Sequence, residues 1–141
     1  MKPKDNQIEE ARRYIANAKK VLLENTEIEG KFYDDPKYVK MAGNTAWNGV
    51  LVAMEAVFAI KSKGRHEIKN YIEEAAKIDG KVKSIIQNAY FILHRSLGYD
   101  GVLSTTIVKE GFADAKTIID WCEIRYNPPV CGKEKITVKT A

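Results

Sequence analysis

Few side chains in this sequence are equipped for chemistry. Histidine occurs twice, as His66 and His94, and cysteine twice, as Cys122 and Cys131. The histidines fall on different predicted helices and share no spacing with the cysteines, whereas a metal site needs three or four convergent ligands. No HExxH, no CxxC and no carboxylate-rich helix pair of the ferritin type appears, so no metal and no cofactor is expected. Glycine-rich phosphate loops, serine-nucleophile motifs and dinucleotide fingerprints are also missing. Cys122 lies on an apolar helix face and reads as core, and nothing marks Cys131 as a nucleophile.

The best polar constellation joins two helices. Thr45, Asn48, Val52 and Glu55 recur at 3, 4, 3 spacing along a long predicted helix, between two apolar faces. A carboxylate on that line is costly to bury unpaired, and His94 or Arg95 at the end of a later helix could partner it. The functional reading is a polar pocket of Asn48, Glu55, His94, Arg95, Tyr99 and Asp100. The structural reading is a buried ion pair that fixes helix register, or a glutamate facing water, and it is preferred. Tyr99 sits in the turn Gly98-Tyr99-Asp100-Gly101, where stacking on a base competes with capping the open end of a bundle. No residue is assigned a catalytic role.

Five amphipathic segments must position these groups. The first, about 5–25, carries Ile8, Ala11, Ile15, Ala18 and Leu22 on one stripe, with Asp5 or Asn6 as cap. Asp35-Pro36 starts the second, which runs to about 63. Its stripe of Ala42, Ala46, Gly49, Ala53, Ala56 and Ile60 is almost all small, which lets a neighbouring helix approach closely. A second face carries Trp47, Leu51, Met54 and Phe58. A shorter helix covers about 65–77, a fourth about 81–97 and a fifth, capped by Ser104, about 105–125. No strand pair is predicted. The result is an all-α antiparallel bundle of four long helices plus one shorter helix, with a bundle domain over 1–126 and a C-terminal tail over 127–141.

Composition bounds the function. The 141 residues are one domain's worth, and 45% hydrophobic with 30% charged residues excludes a disordered or fibrous chain. The net charge of +4 is small. Lys61, Lys63, Arg65 and Lys69, interrupted by Glu67, permit nucleic-acid binding without arguing for it. Two cysteines make no disulfide framework. No 18-residue apolar run exists, so no membrane association is expected. The first residues lack the apolar run of a signal peptide, and the cytoplasm is the expected compartment.

The order and lengths of the helices resemble the HEPN (higher eukaryotes and prokaryotes nucleotide-binding) superfamily over about 5–125. Ala11-Arg12-Arg13-Tyr14-Ile15-Ala16-Asn17-Ala18-Lys19 is similar to the first helix of these proteins. Tyr38-Val39-Lys40-Met41-Ala42-Gly43-Asn44-Thr45-Ala46 is similar to the start of their second. The sequence also resembles a small bacterial family to which no activity is attached. In HEPN ribonucleases an Arg is followed after four to six residues by a His. Arg95 matches that Arg, but Asp100, Gly101 and Val102 stand where the His belongs, and His94 precedes Arg95. The resemblance therefore implies the fold, without the proton-transfer group of the ribonucleases.

The expected function is a non-enzymatic helical interaction or accessory module that self-associates as a homodimer through the Trp47–Leu51–Met54–Phe58 ridge. The alternatives are an RNA- or nucleotide-binding HEPN-like domain acting beside a nucleotidyltransferase partner, and a divergent ribonuclease toxin.

Overall fold

In the computed structural model, which describes residues 6–58 and 68–126, five helices form an all-α bundle with one small hairpin. The helices are α1 (Gln7–Asn25), α2 (Pro36–Phe58), α3 (Ile68–Ile78), α4 (Gly80–Ala89) and α5 (Thr105–Arg125). A π-helical run, Tyr90–Leu97, continues α4 without a break. The helix starts are chemically marked. Asn6 accepts from the Glu9 amide at 3.1 Å, Asp79 from the Lys81 and Val82 amides, and Ser104 from the Ile107 amide. Each satisfies amide donors that have no partner inside the helix.

α2 is the hub. α1, α5 and the π-helical run all pack on it, while α3 packs on α4 and α4 on α5. The small-residue stripe of α2 faces α1. A Cβ on Gly49 would lie 2.8 Å from Tyr14 Cβ and 2.9 Å from the Ala11 carbonyl oxygen. Gly43 does the same for the π-helical run, with Leu97 Cβ at 2.6 Å and the Leu93 carbonyl oxygen at 2.7 Å from such a Cβ. On α5, Gly111 meets Ile92 and Leu93. At Gly49 and Gly43 backbones approach where any side chain would hold them apart, and at Gly111 the side chains of Ile92 and Leu93 fill the space a side chain would need.

Three features differ from the sequence-based expectation. The connection before α2 holds a hairpin, β1 (Ile28–Glu29) paired antiparallel to β2 (Phe32–Tyr33), with Ile28 opposite Tyr33. Gly30, at φ +67°, makes the turn. Strands of two residues are too short to show alternation, which is why the sequence pattern is silent about them. The hairpin is pinned to the start of α5: the Tyr33 amide donates to the Leu103 carbonyl at 2.9 Å and the Thr105 amide to the Lys31 carbonyl at 3.0 Å. The fourth helix widens at Tyr90, where the Gly98 amide reaches back five residues to the Leu93 carbonyl and the Asp100 amide to that of Arg95. The bulky ridge on α2 is covered within the chain. Trp47 is 5% and Met54 0% exposed, and Leu51 and Phe58 are half-buried. Tyr90 meets Trp47 edge-on at 5.5 Å, and Tyr71 and Trp121 close over Phe58 at 6.2 and 6.0 Å.

His66, Cys131, the basic residues Lys61, Lys63 and Arg65, and the tail 127–141 lie outside the described residues. No helix among the described residues is long and apolar enough to cross a membrane.

The two kinds of glycine contact separate in a melt. Gly49→Ala forces α1 off α2 and should lower stability by about 1–3 kcal/mol. Gly80 has open space around its Cβ position and no positive φ. Gly80→Ala should leave the melting temperature unchanged or raise it slightly. Equal melts for the two variants would show that Gly49 is not a close contact.

Candidate functional site

The six residues singled out by sequence divide between two places. α2 and the π-helical run pair along a seam where the Asn44 side-chain amide donates to the Gly98 carbonyl at 3.2 Å. One turn along that seam His94 packs its ring on Tyr90, centroids 5.2 Å apart and nearly parallel, with Trp47 at 6.4 Å. Asn48 follows Trp47 on α2 and is exposed, as are Arg95, Tyr99 and Asp100. No hydrogen bond or ion pair joins the side chains of Asn48, His94, Arg95, Tyr99 and Asp100 to one another among the described residues. His94 Nδ1 is buried without a hydrogen-bond partner there, so the imidazole is held by ring contacts.

Glu55 is elsewhere. It stands eight residues beyond Trp47, about 12 Å along the helix, and acts on Tyr71 of α3. The Tyr71 side chain is fully buried. Burial, and secondarily the Glu55 charge, pushes its hydroxyl up to about 12. His94 and Arg95, either of which the sequence left open as a partner of Glu55, lie on the π-helical run that ends by Asn44, toward the other end of α2 from Glu55. Cys122 is core, its thiol pushed up to about 12 by burial. Among the described residues no group of three or more His, Cys, Asp or Glu is placed to hold a metal ion.

A different site emerges between α1 and α5. Both helices rest on α2, and a groove opens along the line where they face each other. One part, a cavity of about 500 Å³, is floored by Ile15, Phe112 and Ile119 and edged by Arg12, Lys19, Lys109 and Lys116. A second part, of about 510 Å³, continues over Leu22, Leu23 and Val108 to Ile28 and Tyr33 of the hairpin. Lys19, Lys109 and Phe112 line both, so the two form one trough.

The cations differ along its length. The Arg12 guanidinium donates to Asp120 at 2.9 Å and Glu123 at 2.6 Å, tying α1 to α5, and Lys116 donates to Asp120 at 2.8 Å. Burial works against the Arg12 charge, but Glu123 and Asp120 outweigh it and raise its pKa. Lys116, then Arg12, hold the Asp120 carboxyl below the usual carboxylate range against its own desolvation. Lys19 and Lys109, one on each wall at mid-groove, make no ion pair among the described residues. The Lys19 ammonium lies 5.8 Å over the Phe112 ring.

Sequence reasoning passed over these groups. Their signal was present as basic residues beside each apolar stripe, with one apolar residue between them at helical spacing: Arg12 and Lys19 about Ala16 on α1, Lys109 and Lys116 about Phe112 on α5. It becomes a site only when the topology sets α1 beside α5.

Fold and groove together define a small all-α bundle with an apolar trough rimmed by basic residues. A family model described as a domain of unknown function (DUF5618) matches residues 6–124, from the cap of α1 to the last turn of α5, and the chain belongs to that family. Among solved structures, a protein of unknown function from Dyadobacter fermentans is similar, with a TM-score of 0.80 and 39% identity over 88% of this chain and 98% of that one. No curated protein matches.

Two buried groups set an alkaline limit: the Cys122 thiol, raised from 9.0 to about 12, acts from pH 9 upward, and the Tyr71 hydroxyl adds to it from pH 10. The Tyr71 hydroxyl titrates near 12 in the folded state against 10.0 for a free tyrosine. The stability that it contributes is complete below pH 10 and is lost as pH rises toward 12. Melting temperatures should fall from pH 9 toward pH 12, and Tyr71→Phe should flatten the fall above pH 10. An unchanged slope in the variant would show that Tyr71 adds nothing to the limit.

Proposed function

We propose that this protein is a non-enzymatic cytoplasmic interaction module, an accessory to another macromolecule, and that its working surface is the α1–α5 groove. The observation that carries this reading is a trough in which Lys19 and Lys109, without an ion pair among the described residues, flank the half-buried Phe112 and lead to the exposed Leu23 and Ile28. Exposed apolar side chains such as Leu23 and Ile28 cost free energy in water, and elsewhere folding covers such groups, as it does for the α2 ridge. Their persistence between two basic rims fits a surface kept for an anionic, partly apolar partner. The α2 ridge packs Trp47 on Tyr90 and Phe58 on Tyr71 and Trp121 within the chain, so the groove is proposed as the working surface in its place.

A second reading rests on Lys19 above Phe112. A ring face beside two ammonium groups suits a base and its phosphate. It accords with an RNA- or nucleotide-binding domain of HEPN-like descent working beside a nucleotidyltransferase. Arg95, exposed and with no histidine after it, leaves that reading without ribonuclease chemistry.

An amphiphilic anion tests the surface. Anilinonaphthalene sulfonate, an apolar ring system with one sulfonate, should gain fluorescence on the folded protein and shift backbone amide resonances of Ala16 and Ala113. Lys19→Glu combined with Lys109→Glu should abolish the gain while helicity is retained. Shifts confined to the α2–π-helix seam, or a gain untouched by the double variant, would overturn the assignment.

A further inference from the structure

We infer that the outward face of α2, with the adjoining side of α1, is the contact across which two copies of this chain pair about a two-fold axis. α2 turns its other sides into the molecule. Its small stripe lies against α1, and its bulky ridge packs on Tyr71, Tyr90 and Trp121. What remains is a solvent-facing line through Lys40, Asn44, Asn48 and Glu55, flanked by Met41 and Val52. Lys40, Met41, Asn44 and Asn48 are exposed, and Val52 and Glu55 are half-buried.

The composition of this face is unlike the rest of the surface. The chain is 30% charged, yet no Asp, Glu, Lys or Arg stands between Lys40 and Glu55. The exposed sides of the other long helices carry such residues at close intervals: Arg13, Lys20 and Glu24 on α1, Lys109, Lys116 and Glu123 on α5. The uncharged zone continues onto α1. Gly49 of α2 sits against Tyr14, and Asn17 and Val21 follow Tyr14 at three- and four-residue spacing on the same side. Asn17 is exposed, and Tyr14 and Val21 are half-buried. Depletion of charge at the centre of a patch, with charge kept at its ends, marks a protein interface rather than a solvated helix.

The ends select the occupant. Lys40 and Glu55 stand fifteen residues apart, about 22 Å along the helix, with Asn48 beside the midpoint. Antiparallel pairing of α2 with α2 of a second copy, at a shallow crossing of about 20°, sets each Lys40 against Glu55 of the other copy. It also aligns the two helix dipoles favourably. At the axis Asn48 meets its own counterpart. A carboxamide carries both donors and an acceptor, so it is its own complement across a two-fold. The Asn48 side chain makes no hydrogen bond among the described residues, which leaves it open to that pairing. A lipid surface would leave the Asn17 and Asn48 amides unsatisfied, and a nucleic acid would find no cation between the ends. A face basic at one end, acidic at the other and amide-bearing between is matched by itself turned around.

The face is about 22 Å long and two helix diameters, about 20 Å, wide. That is the small end of specific interfaces, so pairing in the micromolar range is expected. The α1–α5 trough lies on the other side of α1, where Arg12, Ala16 and Lys19 line it, and it stays open in the pair.

Sedimentation equilibrium of the full chain from about 1 to 200 μM tests the pairing. The mass should rise from 15.9 kDa toward twice that value. Asn48→Lys sets two ammonium groups together at the axis. It should raise the dissociation constant at least about tenfold while the helical circular dichroism and the melt are retained. Lys40→Glu alone and Glu55→Lys alone should each weaken pairing, because like charges then meet at both ends. An equimolar mixture of these two variants should pair as the original chain does, since each end then joins a glutamate to a lysine. Loss of folding cannot produce that recovery. Lys19→Glu with Lys109→Glu, in the groove, should leave the mass unchanged. A mass that stays at 15.9 kDa at the highest concentration would overturn the inference. So would a dimer indifferent to Asn48→Lys, or a mixture that pairs no better than its components, since either puts the contact on another face.

Discussion

The backbone contact at Gly49 is the constraint on which the rest of the molecule depends. With Tyr14 Cβ and the Ala11 carbonyl already within 2.9 Å of where a side chain would begin, α1 can lie no closer to α2. The neighbouring stripe of Ala42, Ala46 and Ala53 is fully covered. The same helix accepts the π-helical run at Gly43, so two backbones are drawn onto it at different heights. Dispersion and apolar burial reward such proximity only where packing is continuous, and α2 supplies that continuity along nearly its whole length. α1 and α5 are each positioned by α2 more than by one another, which is why a groove opens between them.

The widened turn at Tyr90–Leu97 follows from the same constraint. An α-helical continuation would bond the Gly98 amide to the His94 carbonyl, four residues back. In the π-helical form that amide bonds to the Leu93 carbonyl instead. Leu93 and Leu97 both enter the core, and Ile92 and Leu93 reach Gly111. His94 is carried to the seam, where Tyr90 and Trp47 receive its ring. The aromatic contacts account for its partial burial.

Helix existence, order and most ends are legible in the sequence because they rest on local chemistry: a 3.6-residue apolar period, side-chain caps at Asn6 and Ser104, Pro36 at a helix start. What is not legible depends on pairing across the chain. The hairpin is held as much by Leu103 and Thr105 as by its own two-residue strands. The π-helical run answers to glycines on α2 and α5. The polar set does not close into a single pocket for the same reason. The line Asn48–Glu55 lies on one helix, but Glu55 acts on Tyr71 while Asn48 is exposed. The small stripe on α2 announces a close contact, because small side chains at helical spacing have few other uses. The large ridge beside it is ambiguous in sequence, because bulk alone does not tell a core face from an interface.

The groove shows how floor and rim divide the work of recognition. Exposed charges a few ångströms apart attract by only about 1 kcal/mol in water, and salt screens them further. Four cations, two already engaged, therefore contribute little net affinity. Apolar burial at about 25 cal/mol per Å² is the larger source, and it comes from the accessible parts of Phe112, Leu23 and Ile28. What charge adds is discrimination and speed: an acidic partner is drawn in and a basic one repelled before any side chain is seated. The Arg12–Asp120–Glu123 bridge fits this division. Being largely solvated, it adds little stability of its own, yet it ties α1 to α5 at one end of the trough and so fixes the spacing at which Lys19 and Lys109 confront whatever lies between them.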